Sequence, residues 1–199
     1  MKIVVVGATG TIGSSLVYAL QNDHEVIAVG NSRGDYQVDM TSEDSIRELM
    51  KTLGRFDALA VTAGNISFNS LKEMTSAEWQ KGIDSKLMGQ INLVRYAMDA
   101  LNDNGSITLT SGIIAREPIA KGVSACTING AVNHFVKAAA FEMPRGIRIN
   151  CVSPTVLEES SASYGDFFPG FIPVPASTVA QAYKKSIMGI QNGRIFEVE

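Results

Sequence analysis

Lys2-Ile-Val-Val-Val6 runs without a break into Gly7-Ala-Thr-Gly10-Thr-Ile-Gly13, and apolar residues resume at helical spacing at Ile12, Leu16, Val17 and Leu20. A β-branched run that stops at glycine and gives way to a 3.6-residue period predicts strand, tight turn and helix. That is the opening of a βαβ unit whose turn holds a dinucleotide. Gly7 lets the chain leave the strand sharply, Gly10 lets a pyrophosphate approach the backbone, and Gly13 lets the helix sit close on the strand. Thr9, Thr11 and Ile12 lie in the same turn, where the free N–H groups of the helix's first turn face the phosphates.

The rest of the chain keeps the same alternation. Apolar runs at 25–29, 36–38, 57–62, 106–110, 147–152 and 193–198 read as strands, the one at 36–38 brief and at a frayed edge. Helical periods lie between them. Thr41 or Ser42 with Glu43 and Asp44 opens a helix that reaches Gly54. Ser76-Ala-Glu78 opens a long one through Ile83, Leu87, Ile91, Val94, Met98 and Leu101, an alanine-rich one covers 124–143, and a last one covers about 177–188. The expectation is an α/β fold: a Rossmann-type doubly wound parallel sheet of about seven strands in three αβα layers, occupying 1–199 as a single domain. Ligands in such sheets bind outside the carboxyl ends of the strands. Gly7, Gly30, Ala63-Gly64, Ser111 and Pro154 all fall at such ends. Residues 155–175, with Pro169, Pro173, Pro175, Tyr164 and three phenylalanines, read as a loop covering a site, because a linker is less apolar.

Charge narrows the partners. Seventeen Lys plus Arg stand against 20 Asp plus Glu, with no basic block, which offers nothing to nucleic acid or an anionic membrane surface. No run approaches the roughly 20 apolar residues of a membrane span. His24 and His134 lack the neighbours that hold a metal. Cys126 and Cys151 are the two cysteines, suiting free thiols in a reducing cytoplasm. The expected partners are a small-molecule substrate and other copies of the chain.

Over essentially its whole length the chain resembles the short-chain dehydrogenase/reductase family, in a compact form of about 200 residues. The likeness rests on Gly7–Gly13, Asp39, Ala63-Gly64, the stretch from Trp79 to Gly89, Ser111, and Gly146-Ile-Arg-Ile-Asn-Cys-Val-Ser-Pro154. It implies that Asp39 bonds the adenine amino group with the Met40 backbone beside it, that Ala63 and Gly64 pass under the adenosine ribose, and that Pro154, Thr155 and Val156 touch the nicotinamide. Asn31-Ser32-Arg33 ends the second strand with no carboxylate before Asp35. A basic residue there suits a 2′-phosphate, so NADP is expected ahead of NAD. Family members commonly pair through two long helices, here about 77–101 and 124–143. A homodimer or homotetramer is implied, with Ala138-Ala139-Ala140 permitting close approach.

The catalytic pattern departs from the family. Ser111 matches the serine that holds the carbonyl. Aligning Asn129-Gly-Ala-Val places Ala125 where the acid tyrosine belongs and Asn129 where the lysine belongs, while Lys86 falls on the family's asparagine. A cation is kept but comes from the opposite helix. Lys86 then reaches the nicotinamide ribose or the substrate oxygen, and Asn129 bonds the ribose. The proton donor is Lys86 itself, a water held by Ser111, or a loop residue such as Tyr164. An oxidoreductase moving hydride between NADP(H) and a small carbonyl or alcohol is the leading reading. Its rival is a catalytically silent NADP(H)-binding sensor or scaffold, and an epimerase or dehydratase with bound cofactor is a third.

Overall fold

In the computed structural model, which describes residues 1–199, seven strands form one parallel sheet in the order β3-β2-β1-β4-β5-β6-β7. They are β1 (Lys2–Val6), β2 (Glu25–Gly30), β3 (Tyr36–Gln37), β4 (Phe56–Val61), β5 (Leu101–Thr110), β6 (Arg148–Pro154) and β7 (Ile195–Val198). The helices are α1 (Thr11–Leu20), α2 (Glu43–Leu53), α3 (Ser76–Gly82), α4 (Gly89–Ala100), α5 (Val123–Ala139), α6 (Ser161–Tyr164) and α7 (Ala176–Met188). The order reverses between β1 and β4, and the cleft described below opens at that switch point.

Two-residue alternation on the strands builds a core on each face. Val4, Val6, Leu59, Val61, Ile107, Leu109, Ile149 and Cys151 face α2, α4 and α5. Ile3, Val5, Ala58, Ala60 and Val152 face α1 and α7. On that second face β5 and β6 are polar. Thr108 and Asn150 bond Ser186, and Thr110 bonds the Tyr183 hydroxyl, so these buried groups are satisfied by α7.

Local chemistry sets the helix ends. Ser42 caps α2 by accepting from Ser45 N–H at 3.2 Å. Thr75, one residue ahead of the expected start, caps α3 in a reciprocal pair with Glu78. The expected long helix from 76 is not continuous. Ile83–Met88 is a π-helical turn in which Gly89 N–H bonds the Asp84 carbonyl five residues back. Leu101, expected on the helix, pairs with Phe56 in the sheet, and the register shifts before Ala58 meets Ser106. The alanine-rich helix stops at Ala139, and two tight turns carry the chain to Pro144, which lacks the N–H to continue it.

Residues 155–175 leave β6 and return to α7. Backbone bonds from Val174 N–H to the Val156 carbonyl (3.1 Å) and from Glu158 N–H to the Val174 carbonyl (3.0 Å) close the base of this excursion. The Glu159 carboxylate accepts from Ala176 N–H and caps α7. No helix is long and apolar enough to cross a membrane.

Candidate functional site

Two adjoining cavities form one cleft along the carboxyl ends of the strands, sharing Thr62, Ala63, Gly64 and Asn65. The first, of about 620 Å³, is lined by Gly7, Thr9, Gly10, Asn31, Asp39 and Met40 among others. Gly7 holds φ at +87°, a left-handed conformation that favours glycine. Its N–H and that of Ala8 both donate to the Val29 carbonyl, at 2.8 and 3.1 Å, which pins the turn to β2. A Cβ on Gly13 would lie 2.0 Å from the Gly7 carbonyl oxygen, so helix and turn touch as the glycine spacing implied. Gly10 caps α1 without a side chain. The amides of Thr11, Ile12 and Gly13 therefore find no acceptor in the protein.

Asp39 accepts from the side chain and the backbone N–H of Thr41, which hold its carboxyl below the ordinary range. Thr11, Ser32 and Arg33 are exposed and lie off the cavity lining, the latter two on the loop after β2. Asp35, the nearest carboxylate to that loop, is exposed and accepts from Ala28 N–H at 2.8 Å.

The second cavity, of about 330 Å³, gathers Ile12, Lys86, Ser111, Asn129, Pro154, Thr155 and Val156 from five parts of the chain. Lys86 is 7% exposed and is the cavity's one charged side chain. Its stem lies against Gly64, where an added Cβ would meet Lys86 Cδ at 2.5 Å. Burial lowers the Lys86 ammonium from its usual 10.5 to about 8. The neighbouring Cys151 thiol is pushed up to about 11 by its own burial, which keeps it neutral. Ser111 Oγ, Asn129 Oδ1 and Thr155 Oγ1 are buried with no hydrogen-bond partner. Asn129 Nδ2 is engaged, donating to the Ala125 carbonyl at 2.8 Å.

Gln90, fully buried, was not singled out by its sequence. Its Nε2 donates to the carbonyls of Lys86 and Thr110, and its Oε1 accepts from Thr110 N–H, each at 2.9 Å. It thereby clamps the π-helical turn carrying Lys86 to the strand end carrying Ser111. Its spacing of four residues from Lys86 was the available signal. Thr62, Asn65 and Ser85 also line the cleft, and Ser85 Oγ accepts from Asn65 N–H at 3.0 Å.

Tyrosine enters this site differently from the family pattern. Ala125 is fully buried where the family's acid belongs. Tyr183 lies beneath the cavity floor, bonded to Thr110, and burial raises its hydroxyl far above the usual range. Tyr164 alone among the tyrosines lines the cavity, beside Phe68 with ring centroids 6.1 Å apart. Phe167 also packs on Phe68 and Phe168 on Phe171, so these aromatics form the outer wall, while Trp79 lies off the cleft.

A family model described as enoyl-(acyl carrier protein) reductase matches residues 9–185. The chain belongs to the short-chain dehydrogenase/reductase family. Among solved structures, it is 49% identical to the protein lin1944 from Listeria innocua, with a TM-score of 0.98 and all of both chains covered. It is 26% identical to a small-chain dehydrogenase solved in complex with NADPH, with a TM-score of 0.90, covering 100% of this chain and 96% of that one. An uncharacterized oxidoreductase of Methylorubrum extorquens is 25% identical over 175 residues, 76% of this chain and 71% of that protein. Other curated members are longer, and the match takes in as little as 38% of one of them, a glucose and ribitol dehydrogenase homolog of Arabidopsis thaliana. The glycine cradle, the unpartnered first-turn amides and the orphaned polar atoms of the second cavity fit the dinucleotide this family uses.

Proposed function

We propose that the protein is an NADP(H)-dependent oxidoreductase that moves hydride between the nicotinamide and a small carbonyl or alcohol, through a site whose cation comes from the π-helical turn. The observation that carries this reading is the meeting of Lys86, Ser111 Oγ and Asn129 Oδ1, all buried and without protein partners, in a cavity continuous with the glycine cradle. Bound in the cleft, NADPH supplies the hydride. Thr11, Ile12 and Gly13 amides receive the pyrophosphate, Asp39 and Met40 the adenine, Ala63 and Gly64 the ribose beside it. Asn129 accepts from the nicotinamide ribose, and Pro154, Thr155 and Val156 border the ring.

Ser111 Oγ donates to the substrate oxygen, and Lys86 delivers the proton as negative charge develops there. An ammonium lowered to about 8 suits proton transfer near neutral pH. The preference for NADP rests on an exposed Arg33 on the loop after β2 and an Asp35 already spent on the β2 backbone. The similar structure with NADPH bound supports it. Residues 155–175 act as the lid of this one domain, and the two free thiols suit a reducing cytoplasm.

Calorimetric titration with NADPH and NADH, followed by a carbonyl screen at 340 nm, tests the reading. NADPH binds more tightly than NADH, and Arg33→Ala narrows the gap by about tenfold, the scale of one charge-assisted bond. Lys86→Met retains NADPH and loses turnover by on the order of a hundredfold or more. Failure of every nucleotide to bind would sink the proposal, and binding without turnover on any carbonyl would favour the silent sensor. Pairing through α4 and α5 makes the protein a homodimer or homotetramer, and sedimentation as a pure monomer contradicts that.

A further inference from the structure

The substrate end of the cleft holds one positive charge and nothing to balance it. No aspartate or glutamate lines the cavity with Lys86. Asp84, the nearest carboxylate on the same turn, accepts from Gln80 Nε2 at 2.7 Å on the exposed side. Arg116, on the loop after β5, is held by Glu117, Glu197 and Glu199, so it adds no free charge at the rim. The groups facing Lys86 from the packed elements are Gly64 after β4, Asn129 on α5, Ser111 after β5 and Cys151 on β6, all uncharged at neutral pH. Tyr164 on the excursion is the other titratable group of the lining.

A buried ammonium of this kind tolerates desolvation while water reaches it. When cofactor and substrate expel that water, it must lose its proton or gain an anionic partner. Reduction also leaves a positive pyridinium in the same cavity, which sharpens the need for a negative group. The walls beyond Lys86, Ile66, Phe68, Ile113, Ile114 and Phe168, are apolar and suit a short hydrocarbon remainder.

Building on the oxidoreductase reading above, we propose that the substrate is a small 2-oxo acid or its 2-hydroxy acid, with one carboxylate oxygen and the reacting oxygen both seated on Lys86. In the reducing direction hydride adds to the carbonyl carbon, the C=O π pair moves to oxygen, and that oxygen takes a proton from Lys86, which is restored from solvent. The sum is oxo acid plus NADPH plus a proton giving hydroxy acid plus NADP⁺. The carboxylate keeps Lys86 protonated until the far more basic alkoxide forms, so the two uses of the ammonium do not conflict.

Oxamate, an unreactive 2-oxo acid mimic, and its neutral amide oxamide distinguish the cases by calorimetry on the protein saturated with NADPH. Oxamate binds at least tenfold more tightly than oxamide. At pH 8.5 its binding takes up a fraction of a proton, read from heats in buffers of different ionisation enthalpy. Lys86→Met abolishes the preference and the uptake, whereas Lys86→Arg keeps the preference and loses the uptake. Equal binding of the two probes, or oxamide ahead, with NADPH still bound, overturns the oxo-acid assignment and leaves the cofactor reading intact. Absence of NADPH binding itself overturns both.

Discussion

Lys86 shows how one side chain links stability to function. Its ammonium is lowered to about 8 in the folded protein against 10.5 when free, chiefly by burial. Below about pH 8 the folded state therefore carries a buried charge that the unfolded chain solvates freely, a cost of about 3 kcal/mol at most. Between about 8 and 10.5 the unfolded chain binds more protons at this residue, so its contribution to stability improves as pH rises. Cys151 acts in the opposite sense, because a thiol raised to about 11 loses stability between about 9 and 11. Comparison with a variant isolates the lysine. In urea unfolding, Lys86→Met is more stable than the natural protein at pH 7, and the gap narrows progressively above pH 8. A gap unchanged at pH 9.5 would show that the lysine is not desolvated. The same buried charge that costs stability is the one proposed above to meet a reacting oxygen.

At the scale of elements, the π-helical turn Ile83–Met88 decides where that lysine goes. The i→i+5 bonding pattern is seldom maintained unless something else satisfies the backbone it disturbs. Gln90 does so here, taking up the Lys86 carbonyl and both polar groups of Thr110. Gln90→Leu strands three buried backbone groups, each worth about 1–3 kcal/mol when unsatisfied. The expected result is a loss of several kcal/mol in urea unfolding, with turnover of any active carbonyl falling further than NADPH affinity. Equal losses in the two would give Gln90 a purely structural part. The excursion 155–175 is another element with a defined base. Its ends are stapled between Val156, Glu158 and Val174, while Tyr164 and Phe168 reach the cavity, so the backbone bonds at its base are separate from the side chains that meet the cleft.

For the whole molecule, the cleft exists because the strand order reverses between β1 and β4 and sends neighbouring loops to opposite sides. Every wall of the cleft belongs to a different element, so a ligand that spans it ties those elements together. NADPH at a hundred times its dissociation constant stabilises the fold by about 2.7 kcal/mol. For a chain of this size that raises Tm by roughly 5–10 °C, and NADH at the same concentration raises it less. Equal shifts with both nucleotides would remove the case for a 2′-phosphate contact near Arg33. Arg116 closes the molecule at its far edge by joining the loop after β5 to Glu197 and Glu199, although exposure keeps such pairs weak.

Sequence alone determined the alternation of strands and helices, the parallel sheet and the strand ends that carry the cleft. Those follow from local rules: a two-residue period, a 3.6-residue period, and glycines at turns. It also brought out Ser111, Lys86 and Asn129, because a missing tyrosine and a displaced cation stand out against a familiar pattern. The tertiary structure decided what surrounds them. Glu78 capping Thr75 is local, yet Gln90 meeting Thr110 joins residues 20 apart, and Tyr183 meeting Thr110 joins residues 73 apart. Gly64 reads in sequence as a floor for ribose, and in the fold its missing Cβ makes room for the Lys86 stem. Arg33 is the converse, a residue near the cleft in sequence that the fold leaves exposed on a loop off the cavity lining. Periodicity records which face of an element is apolar, but the partner of a buried polar group is set only when the layers close and exclude water.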